Sequence, residues 1–444
     1  MKSLEIVSAV CMTIVAYAGI NYGDDATTKL TASGFVTARE GDIFKGESDM
    51  LHLNALTEGV WVQEMFTGFN VQSQFNPYPI TGNLGMEMRI GNEYPFYPSD
   101  QGKSRRLYFY PYLSRADLTY SFGDKQNPYL NIALGYFPFK YNDDARNLGE
   151  YLFRSGTYPQ YLITNFDFPL ARLLGLHLSG SLIDKIKWDV LATTNIEWTA
   201  IGDLNLSAIV SYKPIPAIEV GGGVSFCSII SVNKNMTTPD YATTSTTDRY
   251  VENGDTLFYT FAGTKLMARG TLDPQSFFPN TIFGKEDLKV YGELAVLGVK
   301  NYPASLDSVV RYDDILTRMP IMFGFNFPAF KVLDVLSLQG EWFYSRYPDD
   351  MNPLVFDNQP IPFTSFNGGD IPLKGLYNPN AYKGNIWKWS VYGKKTLAGH
   401  FQITFQCARD HLRWYRMDFS TQDYNEALRT NKDWYGTVKV GYVF

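Results

Sequence analysis

Apolar and polar residues alternate with a period of two along nearly the whole chain. A period of two places successive side chains on opposite faces of an extended strand. In residues 205–212, Leu206 and Val210 share one face, whereas Asn205 and Ser207 share the other. The pattern predicts an all-β protein whose sheet has one apolar face and one polar face.

The same alternation is typical of a soluble sheet with one buried face, so other features must decide between the two structures. No helical segments are predicted that could cover a sheet face, and Tyr, Phe and Trp lie near the ends of the apolar faces. Charged residues make up 19% of the chain, below the ~25% usual for soluble domains. These features favour a transmembrane antiparallel up-and-down β-barrel with apolar side chains outside.

The number of predicted strands is sixteen, with an upper bound of eighteen. A sequence echo between residues 166–169 and 325–328 would make residues 158–168 a further strand, which sets the upper bound. The sixteen strands span residues 28–38, 57–75, 83–91, 107–122, 128–139, 172–183, 185–195, 203–213, 216–229, 257–270, 286–299, 316–327, 333–346, 386–395, 397–414 and 433–444.

Short and long connections between these strands alternate. Short turns on the periplasmic side and long loops outside are typical of bacterial outer-membrane barrels. The connection at 271–285 fits this pattern poorly, because it is long for a periplasmic turn. The tight turns lie at 123–128, 184–185, 213–216, 328–331 and 395–396, and the long loops lie at 140–171, 230–256, 346–385 and 415–432.

The first residues have the pattern of an export signal. Lys2 supplies a basic start, residues 6–16 form a short apolar core, and Ala16 and Ala18 fit a cleavage site. An N-terminal anchor helix is the alternative, but the apolar core is too short to span a bilayer comfortably. We therefore predict a signal peptide at 1–18, followed by a single barrel domain.

The last strand ends in an aromatic residue. Val438, Val440, Tyr442 and Phe444 share one face of this strand. Here the chain resembles the bacterial outer-membrane β-barrel class, described by its shape as porin-like. Proteins of that class commonly end in such a strand, which is read by the barrel-assembly machinery. Gly441 lies two residues later than in the commonest form of the signal, so the match is partial.

This resemblance covers the barrel domain, residues 19–444, and implies the location and partners of the protein. It implies the outer membrane of a Gram-negative bacterium, with membrane lipid and the barrel-assembly machinery as partners. A homotrimer is an assembly that the resemblance allows. No characterised family is matched by motif, and the net charge of −6 argues against nucleic acid as a partner.

The polar face of the strands would line a wet lumen. The predicted inward positions carry both signs of charge, so the sequence predicts no strong preference for anions or cations. The charged inward residues are Arg115, Asp117, Lys187, Asp189, Glu219, Lys289, Glu293, Glu341 and Lys439.

Residues 140–154 are the most distinctive stretch outside the strands. In general porins a long loop folds into the barrel and narrows it with opposed charges. By that resemblance this loop is the candidate constriction, together with Arg115, Asp117, Lys289 and Glu293 on the barrel wall. The alternative is an exposed loop whose surface ion pairs contribute little. The charged residues of the loop are Asp143, Asp144, Arg146, Glu150 and Arg154.

The functional prediction is a porin-like channel that passes small hydrophilic solutes by passive diffusion. The alternative is a non-transport barrel that acts as a surface adhesin or structural scaffold through its long loops. We expect no enzyme, cofactor or metal site, because few elements of a catalytic site are present. The four histidines are His52, His177, His400 and His411, and the sequence has no G-x-S-x-G motif.

Overall fold

Sixteen strands of the described residues pair in sequence order to form one closed antiparallel ring. The predicted signal segment lies outside the described residues, as do residues 158–168. A computed structural model of the chain describes residues 28–45, 61–76, 78–92, 107–123, 128–153, 171–183, 185–194, 196, 202–232, 249–258, 262–278, 282–300, 315–343, 387–415, 422–426, 428 and 432–444.

Two further pairs of short strands lie in connections outside the ring, and two short 3-10 helices, Pro274–Phe277 and Ile315–Arg318, complete the described secondary structure. Among the residues described, no helix is long and apolar enough to cross a membrane. The barrel strands are β1 (Thr28–Lys45), β2 (Trp61–Phe75), β3 (Ile80–Asn92), β4 (Leu107–Gly123), β5 (Pro128–Phe139), β6 (Ala171–Leu182), β7 (Ile186–Thr194), β8 (Leu204–Ile215), β9 (Ile218–Ile230), β12 (Gly263–Leu272), β13 (Val290–Val296), β14 (Ile321–Asn326), β15 (Val335–Trp342), β16 (Trp387–Leu397), β17 (Phe401–Arg409) and β20 (Trp434–Val443). The two hairpins are β10 (Arg249–Glu252) with β11 (Asp255–Phe258), and β18 (Arg413–Tyr415) with β19 (Gln422–Glu426).

The ring closes where the first strand meets the last. β1 pairs with β2 on one side and with β20 on the other. At the seam, Gly34 N donates to Phe444 O at 2.9 Å, and Phe444 N donates to Gly34 O at 2.9 Å. Closure leaves no strand of the ring with an unpaired edge, so its backbone groups are satisfied by neighbouring strands.

All sixteen predicted barrel strands are confirmed, and their bounds need small corrections. Residues 257 and 258 belong to the hairpin strand β11, so the barrel strand predicted at 257–270 begins at Gly263 instead. The strand predicted at 316–327 begins at Ile321, because residues 315–318 form a 3-10 helix. Arg318 fixes that helix by donating to the Gly298 carbonyl at 3.1 Å.

The connection at 271–285 is long because it folds on itself. Asp273 caps a 3-10 helix by accepting a hydrogen bond from Gln275 N at 3.1 Å. The Gln275 side chain then donates to the carbonyl of Asp287 at 2.6 Å. These bonds make a compact turn at the end of the barrel where the other short turns lie.

The two faces of the ring are the reverse of those of a soluble protein. Leu118 and Leu134 point outward and are 57% and 62% exposed, as are Val438 and Val440 at the C-terminal end, at 51% and 50%. Polar side chains occupy the inward positions instead. Those that are at most 1% exposed include Asn205, Ser207, Ser225, Ser337, Gln339, Glu341 and Ser390.

Two inward glycines have a positive φ where neighbouring strands approach closely. Gly135 on β5 and Gly175 on β6 face each other and have φ of +133° and +153°. A Cβ at Gly135 would overlap the carbonyl oxygen of Ala116, and one at Gly175 would overlap that of Ala192. Only glycine fits the close approach of β5 to β4 and of β6 to β7 without strain.

We expect Gly135→Ala and Gly175→Ala each to destabilise the folded barrel by about 1–3 kcal/mol, the usual cost of a strained backbone. Gly270→Ala is the matched control, because the nearest atom to its added Cβ would be 3.8 Å away. Urea unfolding in detergent measures the difference. Equal stability of the Gly135 and Gly270 variants would show that the close approach is not required.

Candidate functional site

The segment 140–153, which we call the inner loop, leaves β5 and turns into the barrel. Its side chains are buried rather than exposed to solvent above the barrel. Ala145, Leu148 and Leu152 are 0% exposed, and Tyr151 is 2% exposed. The alternative prediction of an exposed surface loop is therefore wrong for these residues.

Glu150 closes the inner loop on itself. Its carboxylate accepts hydrogen bonds from the backbone N–H groups of Tyr141 and Asn142, at 3.2 and 2.6 Å. Gly149 and Glu150 both have positive φ, +92° and +60°, which reverses the chain at this point. Glu150 therefore shapes the loop from within.

Glu293 on β13 anchors the inner loop to the barrel wall. Its carboxylate accepts hydrogen bonds from four donors: Tyr141 Oη at 2.6 Å, Asn142 Nδ2 at 2.8 Å, Glu150 N at 3.0 Å and Tyr151 N at 2.8 Å. Bonds to an ionised carboxylate are roughly twice as strong as neutral ones. Burial, reinforced by Glu293, raises the pKa of Tyr141 well above its usual value, so this phenol stays a donor.

The far end of the inner loop reaches the next strands along the ring. Asn147 N donates to Gln339 Oε1 on β15 at 3.1 Å, and its side chain donates to Ser390 on β16. Tyr151 Oη donates to Glu341 on β15 at 2.6 Å. The loop thus crosses the interior from β5 to β16.

An apolar core lies between the inner loop and the wall it covers. The sequence analysis missed this core, because it treated the inward face as uniformly polar. Inward apolar side chains such as Phe137, Leu191 and Ile209 were the available signal. The buried wall residues in this core are Phe137, Phe139, Ala171, Leu173, Leu191, Ile209, Met267, Tyr291, Ala295, Leu297, Met322 and Phe343.

The other side of the interior is polar and accessible to solvent. Strands β1 to β4 present hydroxyl, amide and charged groups there. The side chain of Arg115 is 34% exposed. The further half-buried or exposed inward residues of these strands are Lys29, Thr31, Ser33, Asn70, Gln72, Gln74, Thr81, Thr119 and Ser121.

The structure divides the predicted constriction residues into two groups. The first group surrounds the underside of the inner loop. Asp144 accepts a hydrogen bond from Thr271 at 2.7 Å and lies 3.6 Å from Lys289 Nζ. Lys289 also pairs with Glu286 at 3.0 Å, and Arg146 lies 3.7 Å from the same carboxylate. Asp143 is exposed, and Arg154 lies outside the described residues.

The second group lies on β4, where Arg115 and Asp117 form an ion pair with each other. Asn83 donates to Asp117 Oδ2 at 2.9 Å from the neighbouring strand. Among the described residues, no hydrogen bond or ion pair joins this pair to the inner loop, so the predicted residues do not form one cluster.

A charged and aromatic cluster on β1 to β3 was not predicted. Arg39 pairs with Glu64 across the strands. The guanidinium groups of Arg39 and Arg89 lie 5.6 and 4.3 Å from the centroid of the Phe66 ring. The sequence signal was Glu64 and Phe66 at alternate positions, but the cluster depends on pairing between strands distant in sequence.

Lys140, at the start of the inner loop, does not carry a fixed charge near neutral pH. Burial lowers the pKa of its amine to about 7, although the nearby Glu150 carboxylate acts in the opposite direction. Its ammonium group donates to the Ala145 carbonyl at 2.6 Å. Its charge therefore changes over the pH range near neutrality.

The three described histidines link structural elements. His177 Nε2 lies 2.8 Å from Asp189 on the next strand, and His411 Nε2 lies 2.9 Å from Glu341. His400 Nδ1 lies 2.8 Å from the Val443 carbonyl. His52 lies outside the described residues.

Solved structures similar to this chain are bacterial barrels. The Salmonella typhi OmpF complex with daunomycin matches with a TM-score of 0.48 and 11% identity, over 96% of this chain and 100% of that chain. Pseudomonas putida OprB at high pH matches with 0.48 and 9%, over 94% of each chain. A triple mutant of the Rhodopseudomonas blastica porin matches with 0.43 and 6%, over 94% and 100%. The sequence matches no protein-family model and no curated protein.

We expect Glu293→Gln to release the inner loop while the barrel stays closed. The variant loses the negative charge and one of the two acceptor oxygens that serve four donors. We expect docking of the loop to be weakened by about 2–3 kcal/mol, the range for hydrogen bonds to a charged group. Hydrogen exchange at the amides of Glu150 and Tyr151 should become faster. Glu219→Gln is the control, because this carboxylate is one-third exposed and pairs with Arg269 alone among the contacts described. Unchanged exchange in Glu293→Gln would show that Glu293 does not anchor the loop.

Proposed function

We propose that the protein is an outer-membrane channel of a Gram-negative bacterium, through which small hydrophilic solutes diffuse passively. The observation that carries the proposal is a closed ring of strands with an apolar outer face and a polar, partly open interior. An apolar outer face of this kind is suited to contact with membrane lipid.

Lipid explains both features of the ring at once. Hydrocarbon offers no hydrogen bonds to the backbone, so a spanning sheet must close and pair all its strands. Side chains that are half exposed in isolation, such as Leu118, Val210 and Phe401, are stabilised by contact with lipid tails. A soluble protein would instead cover such a surface.

A ring of sixteen strands is wide enough to leave an aqueous passage rather than a packed centre. The inner loop and its apolar core occupy the side of β5 to β8 and β12 to β15, and the loop contacts Ser390 on β16. The passage therefore runs beside the loop, along β16, β17, β20 and β1 to β4. In this proposal the path of solutes lies off the barrel axis.

The narrowest part of the passage lies, in this proposal, between the inner loop and the facing wall. Asp143, Asp144, Arg146 and Lys289 line the loop side, and Arg115 and Asp117 line the wall. Glu150 and Glu293 act indirectly, since they hold the loop in place.

The outward side chains of β20 support a role in assembly. Val438, Val440 and Tyr442 are 51%, 50% and 39% exposed on the outer face. With Phe444, they would be the surface read by the barrel-assembly machinery. A homotrimer remains a further prediction from the resemblance.

Thiol labelling tests the proposed path of solutes through the barrel. We expect the background variant, Cys227→Ala with Cys407→Ala, to give discrete current steps in planar bilayers. Gln72→Cys faces the open side and is half buried, so a bulky charged thiol reagent should reduce its current. Ser207→Cys is the matched control, because Ser207 faces inward behind the loop and is 0% exposed.

Absence of current from the folded barrel in the bilayer would contradict the proposed channel function and favour a scaffold or adhesin. Block of the Ser207→Cys variant alone would place the passage on the other side of the loop. Migration on a gel before and after boiling shows whether each variant is folded.

Charge on the outer face tests the lipid contact. Leu118→Arg should destabilise the barrel by about 2–4 kcal/mol, the cost of a lipid-facing arginine near the bilayer midplane. Thr119→Arg is the control, because Thr119 points inward and lies beside Asp117. Unfolding in lipid vesicles gives the two free energies. Equal losses would contradict a lipid-facing position for Leu118.

A further inference from the structure

We propose that the channel prefers anions to cations, because one continuous part of its wall carries a basic inner face. This inference rests on the proposed channel function. The wall in question consists of β16, β17, β20 and β1, the four adjacent strands that close the ring. We call it the basic seam.

The charges of the basic seam follow from the alternation of its strands. In the described residues of these four strands, no inward position holds Asp or Glu. Carboxylates at inward positions lie on other strands, and include Glu64, Glu87 and Asp117. The inward cations of the seam are Lys29, Arg39, Lys388, Lys394 and Lys439.

The strand register arranges three of these cations in one row. Lys394 on β16 lies opposite Thr404 on β17, Thr404 lies opposite Lys439 on β20, and Lys439 lies opposite Arg39 on β1. Neighbouring strands are about 4.8 Å apart, so the row spans roughly 15 Å of the wall. The row runs across the strands, so it covers a strip of the wall rather than a single point.

The inner loop adds a fourth cation to the row. The Arg146 guanidinium lies 5.7 Å from the centroid of the Tyr392 ring, two residues before Lys394 on the same face. Arg146 also acts electrostatically on Lys394. The loop and the seam therefore present positive charge to the same space.

Carboxylates beside the seam offset part of this charge. Among the described residues, Asp334 lies next to Lys394 immediately before β15 and acts on it electrostatically. Register places Glu64 beside the end of the row, where it pairs with Arg39. Glu286 lies 3.7 Å from Arg146 but also pairs with Lys289 at 3.0 Å. Glu293 serves the inner loop, and Glu341 lies opposite Lys388 and contacts His411.

Fixed charge of one sign along a narrow, low-dielectric passage concentrates mobile ions of the opposite sign. The screening length at physiological ionic strength is about 8 Å, so charges on the wall act on ions that pass within that distance. The solutes favoured by this wall are small anions, including hydrophilic molecules that carry a carboxylate or phosphate group.

The test is the reversal potential of the purified full chain in a planar bilayer that separates two concentrations of KCl. We expect chloride to be more permeant than potassium. In the double variant Lys394→Gln, Lys439→Gln, the permeability ratio should fall toward one, by roughly twofold or more. The single variant Lys394→Gln replaces one of these two half-buried lysines and should show a smaller fall in the same direction.

Two variants control for effects other than charge at the seam. Lys394→Arg with Lys439→Arg keeps both charges and should keep the anion preference. Lys187→Gln removes an exposed inward lysine of β7, on the opposite side of the ring from the seam, and should leave the ratio unchanged. Gel migration before and after boiling confirms that each barrel is folded.

The outcomes separate the two proposals. An open channel that is unselective or prefers potassium overturns the anion preference and leaves the channel function intact. An anion preference that persists in folded Lys394→Gln, Lys439→Gln, or falls equally in Lys187→Gln, also overturns the assignment to the seam. Absence of current from folded protein overturns the channel and, with it, this inference.

Discussion

The structure depends on the backbone ladder between β1 and β20. It pairs Phe35 with Val443 and continues to Trp434 at its far end, so that the last strand supplies the partners that the first strand lacks. Without this ladder two edges of a large sheet would be left unpaired, which hydrocarbon does not tolerate. The terminal residues of the chain are therefore as important to the fold as any residue in its middle.

Closure also changes what the interior needs. Because apolar side chains are directed outward, hydrophobic burial need not occur at the centre of the ring. The inner loop nevertheless builds a core there, against one part of the wall. The interior thus combines a dry half, held by Leu148 and Leu152 against inward side chains, with a polar half. In the proposed channel, this division, rather than the ring alone, would set the position of the passage.

The fold could be predicted from the sequence because alternation is a local property: each strand reveals its faces within about ten residues. The site could not, because it depends on contacts between distant residues. Glu293 lies 152 positions from Tyr141, and Asn147 lies 243 positions from Ser390. Charge and loop length marked residues 140–154 as unusual. Nothing local showed that Arg115 and Asp117 would pair on another wall, or that Lys394, Lys439 and Arg39 would form a row.

The attachment of the inner loop has a consequence for the order of assembly. The loop follows the fifth strand in the chain, yet its anchors lie on β13, β15 and β16. These anchors exist only once the later strands have joined the growing sheet. Docking of the loop is therefore a late event, and it links β5 to strands that join the ring later. Protection of the inner-loop amides from hydrogen exchange would therefore indicate that the barrel is complete.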